Sequence, residues 1–338
     1  MRRTPILKMF VLATALPLAL VGCGSEDGSS SGPEAEELDE TGTHNTYVLD
    51  SLQVPTSPSE ANALGLNIDF DDQDIPDNQL GKILSTLASA AGGDFDISTS
   101  LAETIATGDI ILLSSIQATD LSNAAGAGMW VYIGDEPSRS PCTGEEDTTC
   151  GKHLDGQTGF AIKADSPRNA LITGQIAGGK FDGGPGTVRL ELPLVGDTPL
   201  VLDLIGAQAK VTVGANGLQS GRLGGAVTED ALRTDVLPAL QQILVDVAGE
   251  DCVPGGETCC TPESTGELLY DLFDEDGSCD ISLTELENNS LISTLLAPDL
   301  DLLDEGGNFN PNSDGVLDSL SLGIGFSAVG ATFSPPVQ

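Results

Sequence analysis

Short apolar runs separated by glycine and proline dominate the middle of the chain. Beyond residue 107 these runs predict β-strands at residues 110–117, 129–133, 158–163, 187–194, 199–205, 208–213 and 218–224. In the fourth run, Val188 and Leu190 alternate with charged neighbours, as expected for a strand with one buried and one exposed face. An earlier apolar run begins at Tyr47, ends at Pro55 and predicts one more strand.

Two other stretches repeat apolar residues at helical spacing. The first contains Leu80, Ile83, Leu84 and Leu87, and Asp77 or Asn78 is placed to cap its start. The second is interrupted or restarted at Pro238, and its members are Leu232, Val236, Leu237, Leu240, Ile243, Leu244 and Val247. We therefore expect an α+β fold, with an antiparallel β-rich domain and packed helices at residues 46–248, completed by a strand within residues 316–334.

The first 22 residues have the pattern of an export signal. Three basic residues precede an uncharged apolar run at residues 9–21, which is shorter than the roughly 20 residues that span a bilayer. The run ends in Leu-Val-Gly followed by Cys23, which resembles the lipobox of bacterial lipoproteins. This resemblance implies cleavage before Cys23, a lipid on its thiol and, because Gly24 follows rather than aspartate, an outer-membrane address. An ordinary secretory signal with a chance cysteine is the alternative.

Residues 23–45 are polar and acidic, and they predict a disordered tether. The whole chain contains 52 acidic and 13 basic residues, which gives a formal net charge of −39. This charge excludes nucleic acid as a partner and would repel an anionic membrane, so the predicted lipid must supply the membrane attachment. Such acidity has two ordinary explanations, a solvated surface or carboxylates that bind divalent cations.

The cysteine count agrees with a lipidated Cys23. Seven cysteines would leave one unpaired thiol in an oxidising compartment, whereas six are enough for three disulfides. Since only a short polar loop separates Cys142 from Cys150, we predict a bridge between these two. The other four, Cys252, Cys259, Cys260 and Cys279, are expected to pair among themselves. A zinc site is the alternative, but the chain has only two histidines and no paired CxxC motif.

The most informative stretch, F-DEDGSCDISLTE-L at residues 273–286, resembles an EF-hand loop. Residues 274–285 lie between two apolar helical patterns, and the resemblance implies a calcium ion bound by Asp274, Asp276, Ser278, Asp280, Ser282 and Glu285. In that pattern Asp280 offers its backbone carbonyl and Glu285 both carboxylate oxygens. We expect a small disulfide-linked, EF-hand-like helix-loop-helix within a Cys-rich segment at residues 249–307.

One position departs from the EF-hand pattern. Cys279 stands where the family has glycine, because the chain turns there with positive φ, and this conformation costs a cysteine roughly 1 kcal/mol. A disulfide from Cys279 to Cys252, Cys259 or Cys260 would hold the turn. The alternative is an EF-like turn whose carboxylates only cap helices.

Two further acidic stretches have the spacing of oxygen ligands. A possible second metal site contains Asn310, Asn312, Asp314 and Asp318, in a pattern that lacks the closing glutamate. A possible third site contains Asp69, Asp71 and Asp77, in a stretch similar to a worn form of the DxDxDGxxDN repeat of calcium-binding extracellular proteins. Ordinary turns and solvated loops are the alternatives at both places.

The sequence contains no HExxH, no GxxxxGK[ST] and no glycine motif with Rossmann spacing, so we expect no enzymatic activity. The pattern favours an exported lipoprotein that is held to a bacterial membrane by its lipid and binds calcium in a structural or ligand-binding role. The alternatives are a metal-independent envelope scaffold and a carboxylate-based hydrolase. Protein or glycan partners and the oligomeric state stay open.

Overall fold

The computed structural model describes residues 37–71, 75–90, 97–142, 151–192, 200–253 and 259–334. These residues belong to one compact unit. The predicted export signal and Cys23 lie outside them. Ordered strand begins at Thr43, so the last residues of the predicted tether belong to the folded part of the chain.

Eight antiparallel strands form a closed barrel. The strands of the described residues are β1 (Thr43–Gln53), β2 (Leu112–Ala118), β3 (Asn123–Asp135), β4 (Gly159–Ile162), β5 (Leu171–Ala177), β6 (Lys180–Leu192), β7 (Leu200–Gly214), β8 (Gly217–Thr228), β9 (Ser319–Gly330) and β10 (Thr332–Phe333). The wall runs β1-β2-β3-β5-β6-β7-β8-β9, and β9 pairs back with β1. β4 pairs with the end of β3, and β10 pairs with β4.

This barrel corrects the expected α+β fold with packed helices. Every predicted strand run overlaps an observed strand, but the sheet closes through the pairing of β3 with β5, where Met129 lies opposite Ile172. That pairing joins residues far apart in sequence, so no local pattern predicts it. Moreover, β5 lies in a stretch for which no strand was predicted.

The helices are short, and those beyond β8 lie in one insertion. They are α1 (Pro58–Leu64), α2 (Gln79–Ala90), α3 (Ile97–Thr107), α4 (Glu229–Ala231), α5 (Leu237–Gly249), α6 (Thr265–Phe273), α7 (Leu283–Asn288) and α8 (Ser290–Leu295). The predicted helix around Leu80 is α2, and Asn78 caps it by accepting a hydrogen bond from the Gly81 N–H at 3.1 Å. The predicted interruption at Pro238 is not a break in the chain's helical path, because a π-helical segment, Leu232–Val236, joins α4 directly to α5.

Apolar side chains from strands around the wall fill the barrel. The largest that are fully buried in this cluster include Tyr47, Ile116, Met129, Ile172, Phe181, Leu190 and Leu202. An eight-stranded barrel is just wide enough for side chains to fill it. Leu80 of α2 and Leu101 of α3 belong to the same cluster. α2 and α3 therefore pack against side chains of the barrel.

A long insertion separates β8 from β9, although these strands are neighbours in the wall. Thr228 at the end of β8 pairs with Ser319 at the start of β9, and the Glu229 N–H donates to the Asp318 carbonyl at 2.8 Å. Residues 229–318 therefore leave the barrel and return to it at one point. The predicted Cys-rich segment at residues 249–307 lies wholly within this insertion.

Two adjacent residues of β7 provide a test of the packed interior. Leu202 is 1% exposed, whereas Val201 is 37% exposed and points to the opposite face. We expect Leu202→Ala to lower the free energy of unfolding by about 2–5 kcal/mol through lost burial and a cavity. Val201→Ala should cost less than about 1 kcal/mol. Urea titrations of both variants measure the difference, and equal losses would contradict the packing described above.

Candidate metal centre

The helix-loop-helix around residues 274–285 is built by two capped helices. The Ser264 hydroxyl accepts a hydrogen bond from the Glu267 N–H and caps α6, which ends at Phe273. Ser282 caps α7 through a capping box, in which the side chains of Ser282 and Glu285 each accept the other residue's backbone N–H. α6 ends at Phe273 and the Ser282 cap fixes the start of α7, so these two points bound the loop.

An apolar cluster beneath the loop holds the two helices together. Tyr270 and Phe273 of α6 pack with Ile281 of the loop and Leu286 of α7, and all four are buried. Leu237 and Ala248 of α5 belong to the same cluster, so α5 forms the floor of the segment. The expected small helix-loop-helix is therefore present, but it packs on α5 within the insertion.

Three carboxylates meet in this loop. Asp274, Asp276 and Glu285 each have an oxygen atom within 4.8 Å of the oxygen atoms of the other two. Across the part of the chain that the structure describes, no second group of three acidic, histidine or cysteine side chains meets in this way. This group could hold a metal ion, and it contains three of the six ligands that the EF-hand resemblance implies.

Backbone N–H groups hold these carboxylates in place. The Asp274 carboxylate accepts hydrogen bonds from the Ser278 N–H at 3.0 Å and the Cys279 N–H at 2.9 Å. One oxygen of Glu285 accepts from the N–H groups of Glu275 and Asp276 at 2.9 and 3.2 Å. Each Asp274 oxygen accepts one of these backbone hydrogen bonds and keeps a lone pair for a cation, whereas each Glu285 oxygen accepts two hydrogen bonds, some of which a bound cation would replace.

The same hydrogen bonds keep the site charged. Donation from the hydroxyl and N–H of Ser278 lowers the pKa of Asp276. Partial burial acts to raise the pKa of Glu285, but hydrogen bonds from Ser282, Asp276 and Glu275 outweigh it and lower that pKa. Both carboxylates are thus ionised at neutral pH, and their mutual repulsion is relieved by the backbone dipoles or by a cation.

The turn at Cys279 has the expected strained backbone. Its φ is 61°, and Cys279 is bridged to Cys259. A second disulfide joins Cys252 to Cys260, so the predicted pairing among these four cysteines is confirmed. Cysteines in disulfides carry no thiolate, and these four are therefore not zinc ligands.

The remaining cysteine predictions involve residues that the structure does not describe. Cys142 is disulfide-bonded. Its predicted partner, Cys150, lies outside the described residues. Cys23 lies outside them too, so the predicted lipid attachment stays a prediction.

Two residues that support the loop were not predicted from the sequence. The Gln241 amide of α5 donates to the Ile281 carbonyl at 2.8 Å, and the Asn289 amide donates to the Leu272 carbonyl at 2.9 Å. Asn289 also caps α8, and an asparagine before a new helical pattern was a usable signal for it. Gln241 gave no such signal, because its partner is a backbone carbonyl distant in sequence.

Backbone N–H groups donate hydrogen bonds to two carboxylates of the predicted second site. Asp318 accepts hydrogen bonds from the N–H groups of Leu302 and Leu303, and Asp314 accepts one from Val316 at 2.8 Å. The Asn312 amide donates to the Asp69 carbonyl at 2.8 Å. These contacts shape the loop, and ion binding by this set stays a prediction.

The predicted third site is close to the second but is not fully described. Asp69 accepts from the Asp71 N–H at 3.1 Å, and Asp77 accepts from the Ile68 N–H at 2.7 Å. Residues 72–74 lie outside the described residues. Burial raises the pKa of Asp77 to about 6, and the charges of Asp69 and Asp299 add to the effect. Burial likewise raises the pKa of Asp299.

None of the described helices is both long and apolar enough to cross a bilayer. No protein-family model matches the sequence, and comparisons with curated proteins and with solved structures give no match either. The functional argument therefore rests on the chemistry of the described residues and on the sequence patterns.

The raised pKa of Asp77 predicts a pH dependence of stability in calcium-free buffer. Its folded-state pKa of about 6 lies above the roughly 3.9 of an unfolded aspartate. The folded chain therefore binds a proton more tightly, and this stabilisation is present at low pH and is lost as the pH rises through 6. The contribution of Asp77 to the melting temperature should fall between pH 5 and pH 7.

Asp77→Asn is the test of this pH dependence, because an amide stays neutral and still offers an oxygen to the Ile68 N–H. The variant should lose less stability than the parent chain between pH 5 and pH 7. Asp39→Asn is the control, since a hydrogen bond from Thr41 lowers the pKa of Asp39 and moves its titration out of this range. An unchanged pH profile in Asp77→Asn would contradict the assignment.

Proposed function

We propose that this chain is an exported lipoprotein, anchored through Cys23, that binds a calcium ion in the 274–285 loop and has no catalytic role. The observation that carries the calcium proposal is the meeting of Asp274, Asp276 and Glu285 within 4.8 Å on one loop. The ion stabilises the insertion between β8 and β9. The lipid holds the folded part at a membrane, which is the outer membrane if Gly24 directs sorting.

The chemistry of the loop favours calcium over other metals. Every side chain in the cluster offers oxygen, the donor that hard cations prefer, and calcium accepts six to eight oxygens in flexible geometry. Ser278, the Asp280 carbonyl and Ser282 supply the further oxygens in the EF-hand arrangement. Magnesium demands a near-ideal octahedron and keeps several waters, whereas zinc prefers nitrogen and sulfur ligands.

The surroundings of the loop favour a stabilising ion over a conformational switch. Cys279 is tied to Cys259, and the Ile281 carbonyl is tied to Gln241 of α5. These links restrict the movement of the loop relative to its floor. Extracellular modules typically need calcium affinities of only about 10⁻⁴ to 10⁻³ M, so a modest site is sufficient for this role.

Export is supported by the sequence pattern before Cys23 and by the disulfides. The Cys252–Cys260 and Cys259–Cys279 bridges are stable in an oxidising compartment and rare in the cytosol. The net charge of −39 makes direct attraction to an anionic membrane unfavourable. A covalent lipid at Cys23 is then the means of attachment.

Calcium should raise the melting temperature of the wild-type chain. At a concentration tenfold above the dissociation constant, the added free energy is about 1.4 kcal/mol, which corresponds to a shift of a few degrees. Glu285→Gln should abolish most of the shift that arises at this loop, because it removes the charge from the bidentate ligand. Differential scanning calorimetry with and without calcium measures the shift.

The calcium-induced shift is compared within each variant, because Glu285 also holds the loop without an ion. Its two oxygens accept from Glu275, Asp276 and Ser282, so glutamine will lower the melting temperature of the calcium-free chain as well. Glu275→Gln is the matched control, since it removes the same charge from the same loop outside the carboxylate cluster. Equal calcium shifts in both variants would refute binding at this loop.

Cys23→Ser tests the anchor. Serine cannot form the thioether to a diacylglycerol, so the exported variant should move from the membrane fraction to the soluble fraction. Cell fractionation followed by mass spectrometry of the mature N-terminal peptide measures both location and lipid. Retention of the exported variant in the membrane fraction would disprove anchoring through Cys23.

A further inference from the structure

The end of the insertion folds into a short two-stranded strap that leads into β9. We define the strap as residues 300–303 and 309–312, which lie side by side. The Asn310 N–H donates to the Leu302 carbonyl at 2.8 Å, and the Asn312 N–H donates to the Asp301 carbonyl at 2.9 Å. Leu303 and Phe309 form a β-bridge. Asp301 and Asn310 therefore lie on neighbouring, antiparallel lengths of the strap.

Only one of the two oxygen atoms of the buried Asp301 carboxylate has hydrogen-bond partners among the described residues. Asp301 is 6% exposed. Its Oδ2 accepts hydrogen bonds from the N–H groups of Gly315 at 2.6 Å and Asp314 at 3.3 Å, which aims the carboxylate into the 310–318 loop. Its Oδ1 is buried and has no hydrogen-bond partner among the described residues. A buried charge in this state is costly unless another group pairs with it.

Asn310 also has a side-chain oxygen without a hydrogen-bond partner among the described residues. Its Oδ1 is also buried and has no partner among the described residues. Most buried polar atoms in folded proteins have a partner, and an unpartnered one often marks an unseen ion or water. Both are oxygen atoms, one of them on a carboxylate, and both are open to a group that binds oxygen lone pairs.

We propose that the Oδ1 atoms of Asp301 and Asn310 are ligands of a second cation, a hard divalent ion such as calcium. A cation satisfies several oxygen atoms at once and neutralises the buried carboxylate, which a single N–H donor cannot do. Both donors are oxygens, as calcium prefers, and the surrounding loops carry further carboxylates and carbonyls. This site includes Asp301, which the ligand spacing of the 310–318 loop does not reveal.

The roles of the neighbouring carboxylates support this assignment. Asp318 binds the N–H groups of Leu302 and Leu303, and Asp314 binds that of Val316, so both shape the loop around Asp301. The Asn312 amide donates to the Asp69 carbonyl and holds Asp69 next to the strap. The cation stabilises the point where the insertion returns to the barrel, independently of the 274–285 loop.

Calcium titration of the full chain in detergent tests this site, with Glu285→Gln as the background so that the 274–285 loop does not contribute. The background should retain one calcium equivalent by calorimetry, and adding Asp301→Asn should weaken it at least tenfold. Asparagine still offers an oxygen to Gly315 and adds a donor in place of the unpaired oxygen, so the calcium-free chain should keep its stability. Magnesium in place of calcium should bind more weakly.

Asp304→Asn in the same background is the control, because this exposed carboxylate in the same loop accepts from Gly306 and Asn308 and should leave calcium binding unchanged. Asn310→Asp is the second variant, and its added charge should raise the calcium affinity at least tenfold. No calcium binding by the background would show that a water fills the site and would overturn the proposal. Equal calcium affinities in the background, in Asp301→Asn and in Asn310→Asp would also overturn the proposal. If Asp301→Asn fails to fold, the calcium affinity of Asn310→Asp decides the test.

Discussion

The closure of the barrel is the constraint on which the other parts of the structure depend. Each wall strand pairs on both sides, so the barrel has no free edge at which backbone N–H and carbonyl groups would lack partners. Closure needs two long-range pairings, β3 with β5 and β1 with β9. The second pairing fixes β9 between β1 and β8, and any residues between β8 and β9 must then return in register to Ser319 opposite Thr228.

The insertion meets this requirement with cross-links rather than with a large core. Its apolar cluster on α5 is small, and small units of this kind depend on disulfides or metals for stability. The Cys259–Cys279 bridge closes a loop of 20 positions across the helix-loop-helix. The two proposed cations act at different places, one between α6 and α7 and the other at the strap that leads into β9. Together they would restrain both halves of the insertion.

Local features of the fold were predictable, and distant pairings were not. The 274–285 loop was predicted because the EF-hand pattern fixes the spacing of its acidic residues within twelve positions. β7 was predicted as two strands, because the chain at Gly206 resembles a break; the structure has a bulge between Ile205 and Gln208, with a φ of 59° at Gly206. β5 was missed because Gly174 and Gln175 interrupt its apolar run. Packed helices were expected, but no local pattern showed that α2 and α3 would pack against a closed barrel. Asp301 was missed for a similar reason, since its N–H partners lie more than ten residues away.

The acidity of the chain has a structural use that neither of its two ordinary explanations covers. Carboxylates repeatedly bind backbone N–H groups in the loops, as Asp77 does with Ile68 and Asp299 with Ser321. Ion pairs such as Arg189–Asp203 lie on exposed parts of the barrel, and 13 basic residues cannot neutralise 52 acidic ones. Backbone dipoles therefore carry much of the compensation where carboxylates are buried. At Asp301 one buried oxygen has no such donor, and at the cluster around Glu285 three carboxylates converge on one loop, so cations would supply further positive charge at the two proposed sites.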